Sequence, residues 1–539
     1  MNSKGLTVAA LVATLALAAT LACRGQRSGG AAPVAARPFV VATQADVTTF
    51  NDCQSAGETT EADIIGMLFP TLAEEQPDYQ LHPPSFAPRL AASWEFSPDR
   101  RTLTFHLRSG ARWSDGEAIT ADDVRFTLAA QKDPTVGSTN SEIKEFISDA
   151  EVVDPLTVRF RFTRVYPYQL MDANDGRILP AHAWSGVPFG KWATTDFEPL
   201  LVTGGPFRLA AHHPQQTIIL GRDPAWWGAP RPYLDRLVFR VLPETASQLS
   251  QLVAGQVDLV QQVSPLEADR IASSPGLKLV EFPSRLLGFV GWNNRRAMFS
   301  EPSVRRALSL AINRKAVVDA AYRGHARLAN GPVLSTMWAY DRDLPELGYD
   351  PGLAARLLEH EGWVQAGDGG TLRRGGTRFA FDLLYPAGNT IRQQMAVLIQ
   401  SDLARIGVEA HPVPAEFTSL VARTDSGDFD AVIWVWEEPT KIDLGSEWST
   451  RTDGRGSNNL FGYSNPEVDR LIATAREAPD FETARPILVR IQDLIVTDQP
   501  VTFLYEANQL VGVTRKLEDA NINAAGIFFN VDEWRWGPR

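Results

Sequence analysis

The stretch from Ala87 to Leu128, APRLAASWEFSPDRRTLTFHLRSGARWSDGEAITADDVRFTL, decides the fold. Apolar and polar side chains alternate over residues 103–107, and this period of two predicts a half-buried strand. Asp115-Gly116 predicts a tight turn. Asp122 and Asp123 suit the positive end of a helix dipole, so a helix is predicted to begin beside them. The stretch therefore predicts an antiparallel strand region that leads into a capped helix.

Length and composition set the number of lobes and exclude one class of partner. The chain has 539 residues, 44% hydrophobic and 22% charged, which is enough for a large core and too long for one ordinary domain. Two or three lobes are therefore expected. The net charge of −12 leaves no surplus of Lys and Arg to neutralise phosphates. Nucleic acid is not an expected partner.

The N-terminal segment has the pattern of a secretory signal peptide. An apolar run from Leu6 to Ala22 follows Lys4, and small residues crowd its end. Cys23 follows this run directly, as in lipoproteins, where the thiol accepts a lipid and becomes the mature N-terminus. We predict a signal peptide over residues 1–22, lipidation at Cys23 and a flexible tether over residues 23–37. An ordinary signal peptide cleaved nearby, or an uncleaved anchor, is the alternative.

Patterns along the rest of the chain indicate an α/β protein with a β-rich insertion. Pro38 to Thr43 is a short apolar strand, and Thr59 to Leu68 has helical spacing. Alternation over residues 158–162 is typical of an antiparallel sheet. A helix is predicted from Thr245 to Gly255, where glycine can take the left-handed conformation that ends a helix. Further amphipathic helices in the C-terminal half indicate a second α/β lobe.

Several segments, taken in order, resemble the family 5 extracellular solute-binding proteins, the receptor subunits of peptide, dipeptide and nickel ABC importers. The resemblance begins with the opening stretch and covers roughly residues 38–515. Individually the segments are weak signals, but their order is specific. The further matching segments are TGGPFRL (203–209), RDPAWWGAPRPYLDRLVFRVLPE (222–244), GWNNRRAMFSEPSVRRALSLAINRKAVVDAAYRGHA (291–326), YDPGLAARLLEHEGW (349–363) and NNLFGYSNPEVDRLI (458–472).

The resemblance implies a type II periplasmic-binding-protein fold, with two α/β lobes joined by a hinge and an inserted β-rich lobe. The hinge is expected at two chain crossings, near Pro283-Ser284 and Tyr505, and ligand is expected between lobes I and III. The implied boundaries are residues 38–70, 200–285 and 505–539 for lobe I, residues 71–199 for the inserted lobe II, and residues 286–504 for lobe III.

The resemblance also names the residues expected to contact ligand. For Trp434 and Trp436 the alternative is packing in the core or at a lobe boundary, since aromatic side chains on such strands are often buried. The predicted ligand-binding residues are Asp46, Thr48, Phe50, Trp292, Asn293, Asn294, Tyr385, Trp434, Trp436, Glu437, Glu438 and Asn459.

One position departs from the pattern of peptide-binding relatives. Their corresponding loop usually reads Asp-x-x-(Asp or Glu)-Pro, and the first Asp pairs with the α-ammonium group of the peptide. In WVWEEP (434–439) that position is Val435. A buried ammonium without a carboxylate partner is costly. Either Glu437 or Glu438 replaces the missing Asp, or the ligand lacks a free α-amine.

The resulting functional hypothesis is a monomeric, lipid-anchored receptor on the periplasmic side of the cell envelope. It would capture a small polar, peptide-like solute without a cofactor and deliver it to partner ABC permease and ATPase subunits. The alternatives are a receptor for a glycoside, an opine or a metal chelate, a peptide-binding chaperone, and an enzyme.

Motifs and histidine placement weigh against catalysis and against a protein-ligated metal. The chain lacks the nucleophile elbow, the His-Glu-x-x-His pair, the phosphate-binding loop and the dinucleotide-binding turn. Among eight histidines only His212 and His213 adjoin, and neighbours on a strand point to opposite faces. The lone thiol of Cys53 is expected to be buried rather than reactive.

Overall fold

The computed structural model describes residues 37–55, 59–139, 141–365, 370–450 and 458–538. The predicted signal peptide, the lipidated Cys23 and residues 23–36 of the tether lie outside the described residues. Within the described ranges, every helix is too short or too polar to cross a bilayer.

The strands of the described chain are β1 (Phe39–Thr43), β2 (Ala73–Glu75), β3 (Phe86–Pro88), β4 (Ala91–Phe96), β5 (Thr102–Leu107), β6 (Ile147–Asp154), β7 (Thr157–Phe162), β8 (Phe207–His213), β9 (Thr217–Arg222), β10 (Arg236–Val241), β11 (Leu259–Val260), β12 (Leu277–Trp292), β13 (Ala326–Leu328), β14 (Val364–Gln365), β15 (Leu372–Arg374), β16 (Thr377–Arg378), β17 (Ala380–Pro386), β18 (Glu409–Ala415), β19 (Ala431–Glu437), β20 (Val501–Thr514), β21 (Leu517–Glu518) and β22 (Arg535–Trp536).

The α-helices are α1 (Thr59–Leu68), α2 (Ala121–Lys132), α3 (Gln169–Asn174), α4 (Ala181–Trp184), α5 (Thr245–Val253), α6 (Ala268–Ala272), α7 (Pro302–Ala311), α8 (Arg314–Tyr322), α9 (Pro351–His360), α10 (Thr390–Ala404), α11 (Phe417–Ser426), α12 (Gly445–Trp448), α13 (Pro466–Arg476) and α14 (Phe481–Asp498).

One large sheet runs through the molecule in the order β18-β17-β19-β12-β20-β11-β1-β10-β9-β8, with β13 added beside β20. The long strands β12 and β20 pair antiparallel from Leu277 opposite Thr514 to Gly291 opposite Val501. Their pairing is irregular between Pro283 and Leu287. These two strands connect one half of the sheet, around β1, with the other half, around β17 and β19.

The half around β1 has the predicted strand–helix–strand unit. β1 is buried along its whole length and lies parallel to both β10 and β11, as expected for a strand covered on both faces. Helix α5 joins β10 to β11, and Gly255 just beyond it has φ = 69°. The predicted left-handed glycine is therefore confirmed.

The opening stretch folds as its pattern predicts. Strand β5 lies between β4 and β7 in a separate four-stranded antiparallel sheet. Gly116 of the Asp-Gly turn has φ = 96°, which glycine adopts without strain. Thr120 and Asp123 form a reciprocal capping box at the start of α2. Trp113 is buried, and its Nε1 donates to Asp123 Oδ2 at 3.3 Å, which fixes the turn to the helix.

Glycines in β12 allow aromatic rings to lie directly on the strand, and their replacement should destabilise the fold. A Cβ atom on Gly291 would stand 2.0 Å from Phe461 Cε1, and one on Gly288 would stand 2.1 Å from Tyr505 Cζ. We expect Gly291→Ala to lower the free energy of unfolding by about 1–3 kcal/mol through overpacking. Urea unfolding measures this, with Gly276→Ala as the control because its Cβ would meet nothing within 4 Å. Equal stabilities for the two variants would contradict the prediction.

Candidate functional site

A cavity of about 1280 Å³ lies between two walls of the structure. One wall comes from Asp52 and from residues of the segments 141–146 and 164–177. The opposite wall comes from residues of the segment 437–447 and from helices α13 and α14. The volume of the cavity exceeds the range of about 300–1,000 Å³ that is usual for small-molecule pockets.

The two walls touch each other beside the cavity. Tyr168 Oη donates to the carbonyl of Ile442 at 2.9 Å, and the Tyr168 ring meets the Phe481 ring edge-on at 5.1 Å. Lys441 Nζ lies 2.7 Å from Asp172 Oδ1. The walls therefore stand in a closed arrangement, linked by polar and aromatic contacts.

The cavity lining is acidic. Nine Asp and Glu side chains and five Lys and Arg side chains line it, which is a formal excess of four negative charges. A lining of this sign favours ligands that carry positive charge. The acidic residues are Asp52, Glu75, Glu142, Glu145, Asp172, Asp175, Glu437, Asp443 and Glu447, and the basic residues are Arg164, Arg177, Arg285, Lys441 and Arg476.

Three of the five basic side chains are neutralised by neighbouring carboxylates. These ion pairs are Arg285 with Glu437 at 3.0 Å, Lys441 with Asp172 at 2.7 Å and Arg476 with Asp443 at 2.9 Å.

Glu438 is half-buried and does not line the cavity itself, but it lies beside Glu447, which does. Burial, and after it the negative charge of Glu447, raise the pKa of Glu438 to about 8. Within the described ranges, no Lys, Arg or His lies within ion-pair distance of Glu438. Glu447 lines the cavity, and burial raises the pKa of its carboxyl group as well. An ammonium group placed beside these two carboxylates would relieve both costs.

A buried polar cluster forms the floor of the cavity. The Lys144 ammonium is buried and donates to the carbonyls of Asp172 at 2.5 Å and Asp175 at 2.7 Å. Burial lowers the pKa of Lys144, while the carboxylates of Asp175, Asp172 and Asp52 raise it. Cys53 beside this cluster is buried, and burial raises the pKa of its thiol to about 12. The expectation of a buried thiol is confirmed, and its low reactivity stays a prediction.

Of the predicted ligand-binding residues, Glu437 lines the cavity. Its carboxylate is largely exposed and pairs with Arg285. Trp434 is half-buried and Trp436 packs in the core, with its ring 4.5 Å from Phe289 and 5.4 Å from Trp448. These contacts favour the packing alternative for Trp436, and ligand contact by Trp434 and Trp436 stays a prediction.

The predicted asparagines and Trp292 hold loops and strands together. Trp292 Nε1 donates to Thr502 Oγ1 at 3.0 Å. Asn293 Nδ2 donates to the carbonyls of Gly427 and Phe429, Asn294 Nδ2 to those of Trp292 and Pro500, and Asn459 Nδ2 to those of Ser449 and Tyr463. Tyr385 is buried in the core around β17. These side chains do not line the cavity, and their contact with ligand stays a prediction.

The predicted loop after β1 is fixed by internal contacts. Thr48 donates its backbone N–H and hydroxyl to Glu61 Oε2 at 2.7 and 2.6 Å. Phe50 is buried and meets the His212 ring edge-on at 5.8 Å. Asp46 accepts a hydrogen bond from His212 Nε2 at 3.0 Å. These three residues also lie outside the cavity lining, and a role in ligand binding stays a prediction for them too.

The His212 bridge predicts a pH-dependent stability. Its Nδ1 also donates to Glu198 Oε2 at 2.7 Å. Burial lowers the pKa of His212, but the hydrogen bonds to Glu198 and Asp46 outweigh burial and leave this pKa above its usual value. The stabilisation is therefore complete below about pH 6.5 and is lost as pH rises through the folded-state pKa. We expect His212→Gln to lose most stability at low pH, as measured by unfolding at pH 5.5 and pH 8.5. The exposed neighbour variant His213→Gln serves as control, and a pH-independent loss in His212→Gln would contradict the prediction.

Several lining residues were not identified from the sequence. Asp52 lies two residues after the predicted Phe50, and Lys441 and Asp443 follow the WVWEEP run within a few residues. Asp172 and Arg177 lie in an unremarked segment, DANDGR (172–177). The signal in the sequence that could have identified these lining residues is the concentration of charged residues in short segments that also carry apolar residues.

Comparison with known proteins covers nearly the whole chain. Residues 85–444 match the family model described as "Bacterial extracellular solute-binding proteins, family 5 Middle". The oligopeptide-binding protein AppA of Bacillus subtilis is 26% identical over 528 residues, covering 95% of each chain. The dipeptide-binding protein of Escherichia coli K12 is 27% identical and covers 90% of this chain and 92% of that protein.

Solved structures share the architecture. AppA from Bacillus subtilis in complex with a nonapeptide superposes with a TM-score of 0.79 at 26% identity, covering 93% of this chain and 99% of that chain. NikZ from Campylobacter jejuni in complex with Ni(L-His) gives a TM-score of 0.80 at 21% identity, covering 92% and 99%. These likenesses confirm the predicted fold class.

Proposed function

Because the chain belongs to the bacterial extracellular solute-binding proteins of family 5, as its sequence predicts, we propose that it captures a peptide or peptide-like solute for an ABC importer. The family consists of binding proteins rather than enzymes, which confirms the expectation of a non-catalytic role. The ligand would be held without covalent chemistry or a cofactor, and partner permease and ATPase subunits would supply the transport step.

The cavity between the two touching walls is the observation that carries this proposal. An extended peptide at strand spacing occupies about 160 Å³ per residue, from a rise of about 3.4 Å and spacings of about 4.8 and 10 Å. A cavity of about 1280 Å³ therefore has room for several residues. The likeness to AppA in its nonapeptide complex supports the same ligand class.

The acidic loop after β19 is the proposed site for the amine of the ligand. Val435 stands where peptide-binding relatives usually have the pairing Asp. Within the described ranges neither Glu438 nor Glu447 has an ion pair, and burial raises the pKa of both carboxyl groups. In this proposal they accept the ligand's ammonium group, while Glu437 stays paired with Arg285. A peptide therefore remains the proposed ligand class, although the amine-pairing Asp of the relatives is replaced by Val435.

Capture would proceed by hinge closure between lobes with the predicted boundaries. With these boundaries the cavity would lie mainly between lobes II and III, with Asp52 from lobe I, whereas the sequence places the ligand between lobes I and III. The irregular pairing of β12 with β20 between Pro283 and Leu287 coincides with one predicted crossing. Few backbone hydrogen bonds need to change there when the walls separate. The contacts of Tyr168 and Lys441 with the opposite wall would break on opening.

Anchoring is part of the proposed function. Lipidation at Cys23 after removal of residues 1–22 would hold a monomeric receptor at the periplasmic side of the cell envelope, with residues 23–37 as tether. Cell fractionation checks this, because Cys23→Ser is expected to leave the membrane fraction. Retention of that variant in the membrane would contradict lipid anchoring.

Titration calorimetry with synthetic peptides of two to eight residues tests the proposed function. We expect 1:1 binding with a Kd of micromolar order, on the order of 8 kcal/mol, and no conversion of the peptide. Failure of every peptide in the series to bind, or cleavage of a bound peptide, would overturn the proposal.

A further inference from the structure

One aromatic side chain connects two apolar clusters of the structure. The first cluster contains β1 and the four-stranded sheet, and it includes Phe105 and Tyr168. The second lies beside β12 and β19 and includes Trp436 and Leu488. Among the partly buried side chains that flank these clusters in the described ranges, only Phe481 packs against both. Phe481 therefore lies where the two walls of the cavity meet.

The ring of Phe481 is held between one aromatic ring from each side. It meets Tyr168 edge-on, with the ring centres 5.1 Å apart and the planes at 76°. It also meets Trp338 edge-on, at 5.3 Å and 76°, and Trp338 belongs to the cluster beside β12. Such edge-to-face pairs stabilise a structure beyond the apolar area that they bury. The contact with Tyr168 joins the walls, while the contact with Trp338 keeps the Phe481 ring in position.

The start of α14 fixes the place from which this ring projects. Asp480 caps the helix, and its Oδ1 accepts a hydrogen bond from the N–H of Thr483 at 2.8 Å. Hydrogen bonds from Thr483 and, after them, the charge of Arg100 lower the pKa of Asp480. Arg100 lies on the same side as Tyr168, because its carbonyl accepts from Gln169 Nε2 at 2.8 Å. The capped end of α14 therefore faces the side of the molecule that carries Tyr168.

Tyr168 makes further contacts across the walls at the same point. Its hydroxyl donates to the carbonyl of Ile442 at 2.9 Å, and the Lys441 ammonium lies 5.6 Å from the centre of its ring. Lys441 also pairs with Asp172 at 2.7 Å. Tyr168, Lys441 and Asp172 line the cavity as well, whereas Phe481 does not. Phe481 is therefore the member of this group that can be changed without touching the ligand.

We propose that Phe481 and Tyr168 form a clasp that holds the walls together whatever ligand the cavity contains, so that Phe481 is a positioning residue that sets how long a captured ligand stays. Opening of the walls separates the two rings, and a ligand leaves through the open arrangement. A contact made only in the closed arrangement shifts the balance between closed and open molecules, in the ligand-free chain too. The effect on ligand release rests on the proposed receptor function, but the closure itself concerns the protein alone.

Dissociation rates of bound peptides test the clasp. We expect Phe481→Ala to release peptides about 10-fold faster than the unmodified chain, because the closed arrangement loses the contact between the rings. The factor should be the same for a peptide with free termini and for its N-acetylated amide, since Phe481 lies outside the cavity lining. Stopped-flow displacement of the two peptides, each carrying the same fluorophore, measures the rates.

Phe417→Ala is the matched control. Phe417 is likewise the first residue of a helix, α11, and follows an acidic N-cap, Glu416, but its side chain is 59% exposed. Its replacement is expected to leave both dissociation rates unchanged. If Phe481→Ala fails to fold, Phe481→Leu keeps most of the volume without the ring, and we expect it to release peptides about 2–10-fold faster.

Small-angle X-ray scattering tests the clasp without any peptide. The purified chains are first freed of ligand, which native mass spectrometry checks. We expect ligand-free Phe481→Ala, or Phe481→Leu when it replaces that variant, to have a larger radius of gyration than the unmodified chain, because more of its molecules are open. Phe417→Ala is expected to have the radius of gyration of the unmodified chain.

The outcomes separate this inference from the proposed function. Equal radii of gyration in the ligand-free unmodified chain and the Phe481 variant would overturn the clasp, and so would an unchanged dissociation rate. A rate increase that differs between the two peptides would assign Phe481 to ligand contact and would also overturn it. All three results leave peptide capture intact. Absence of binding for both peptides would overturn the proposed function, and the scattering comparison would then decide the clasp alone.

Discussion

Replacing Lys144 by Met is expected to lower the free energy of unfolding by about 3–5 kcal/mol. The Lys144 ammonium is buried and donates to two backbone carbonyls at the floor of the cavity. It is also 3.7 Å from Asp175 Oδ2 and near Asp172 and Asp52. Its removal leaves these carboxylates without their buried counter-charge. Urea unfolding of the purified chain measures the loss.

The control for this prediction is an exposed lysine with a carboxylate partner. Lys315 pairs with Asp319 on the surface of α8, and its side chain is 73% exposed. Lys315→Met is expected to change stability by about 0.5 kcal/mol or less, since solvent screens such pairs. A loss below about 1 kcal/mol in Lys144→Met would show that the carboxylates at the floor are neutralised by something else.

Glu438→Gln is expected to weaken the binding of peptides with a free α-amine by about 10–100-fold. Burial and the neighbouring Glu447 raise the pKa of the half-buried Glu438 carboxyl group to about 8. An ammonium ligand requires the carboxylate form, so binding displaces a proton from Glu438. Affinity of the unmodified chain should therefore rise between about pH 6 and pH 7.5, where a peptide amine stays mostly protonated.

N-acetylated peptides provide the matched control. They lack the positive charge, so unmodified chain and Glu438→Gln are expected to bind them with similar affinity and little pH dependence. Calorimetry at pH 6.0 and pH 7.5 with both peptide types completes the comparison. Equal weakening of acetylated and free peptides in the variant would assign Glu438 to loop structure rather than to the amine.

The sequence predicted the local structure of the fold well where short-range physics decides it. The alternation in β5, the Asp-Gly turn and the helix dipole at α2 involve neighbours in the chain, and each appears as predicted. Thr59 to Leu68 has the bounds of α1 as well. Helix periodicity and glycine conformation are properties of single segments, so they can be predicted without knowledge of the tertiary structure.

The site was less predictable because it is assembled from distant segments. Asp172 and Lys441 meet only when the walls pack together, and no local pattern pairs them. Trp436 shows a second limit. Trp436 was predicted to contact ligand, but β19 lies between β12 and β17 inside the sheet, where both faces are covered. Period-two patterns do not tell which covered face borders a cavity.

Native mass spectrometry of the protein purified from rich medium tests the central claim most directly, because it weighs whatever the cavity has captured. The account predicts a 1:1 complex with a series of short peptides, each with a free amine, and loss of most of this series in Glu438→Gln. A single non-peptide mass, or a metal complex, bound to the unmodified chain and unaffected by that substitution would contradict it.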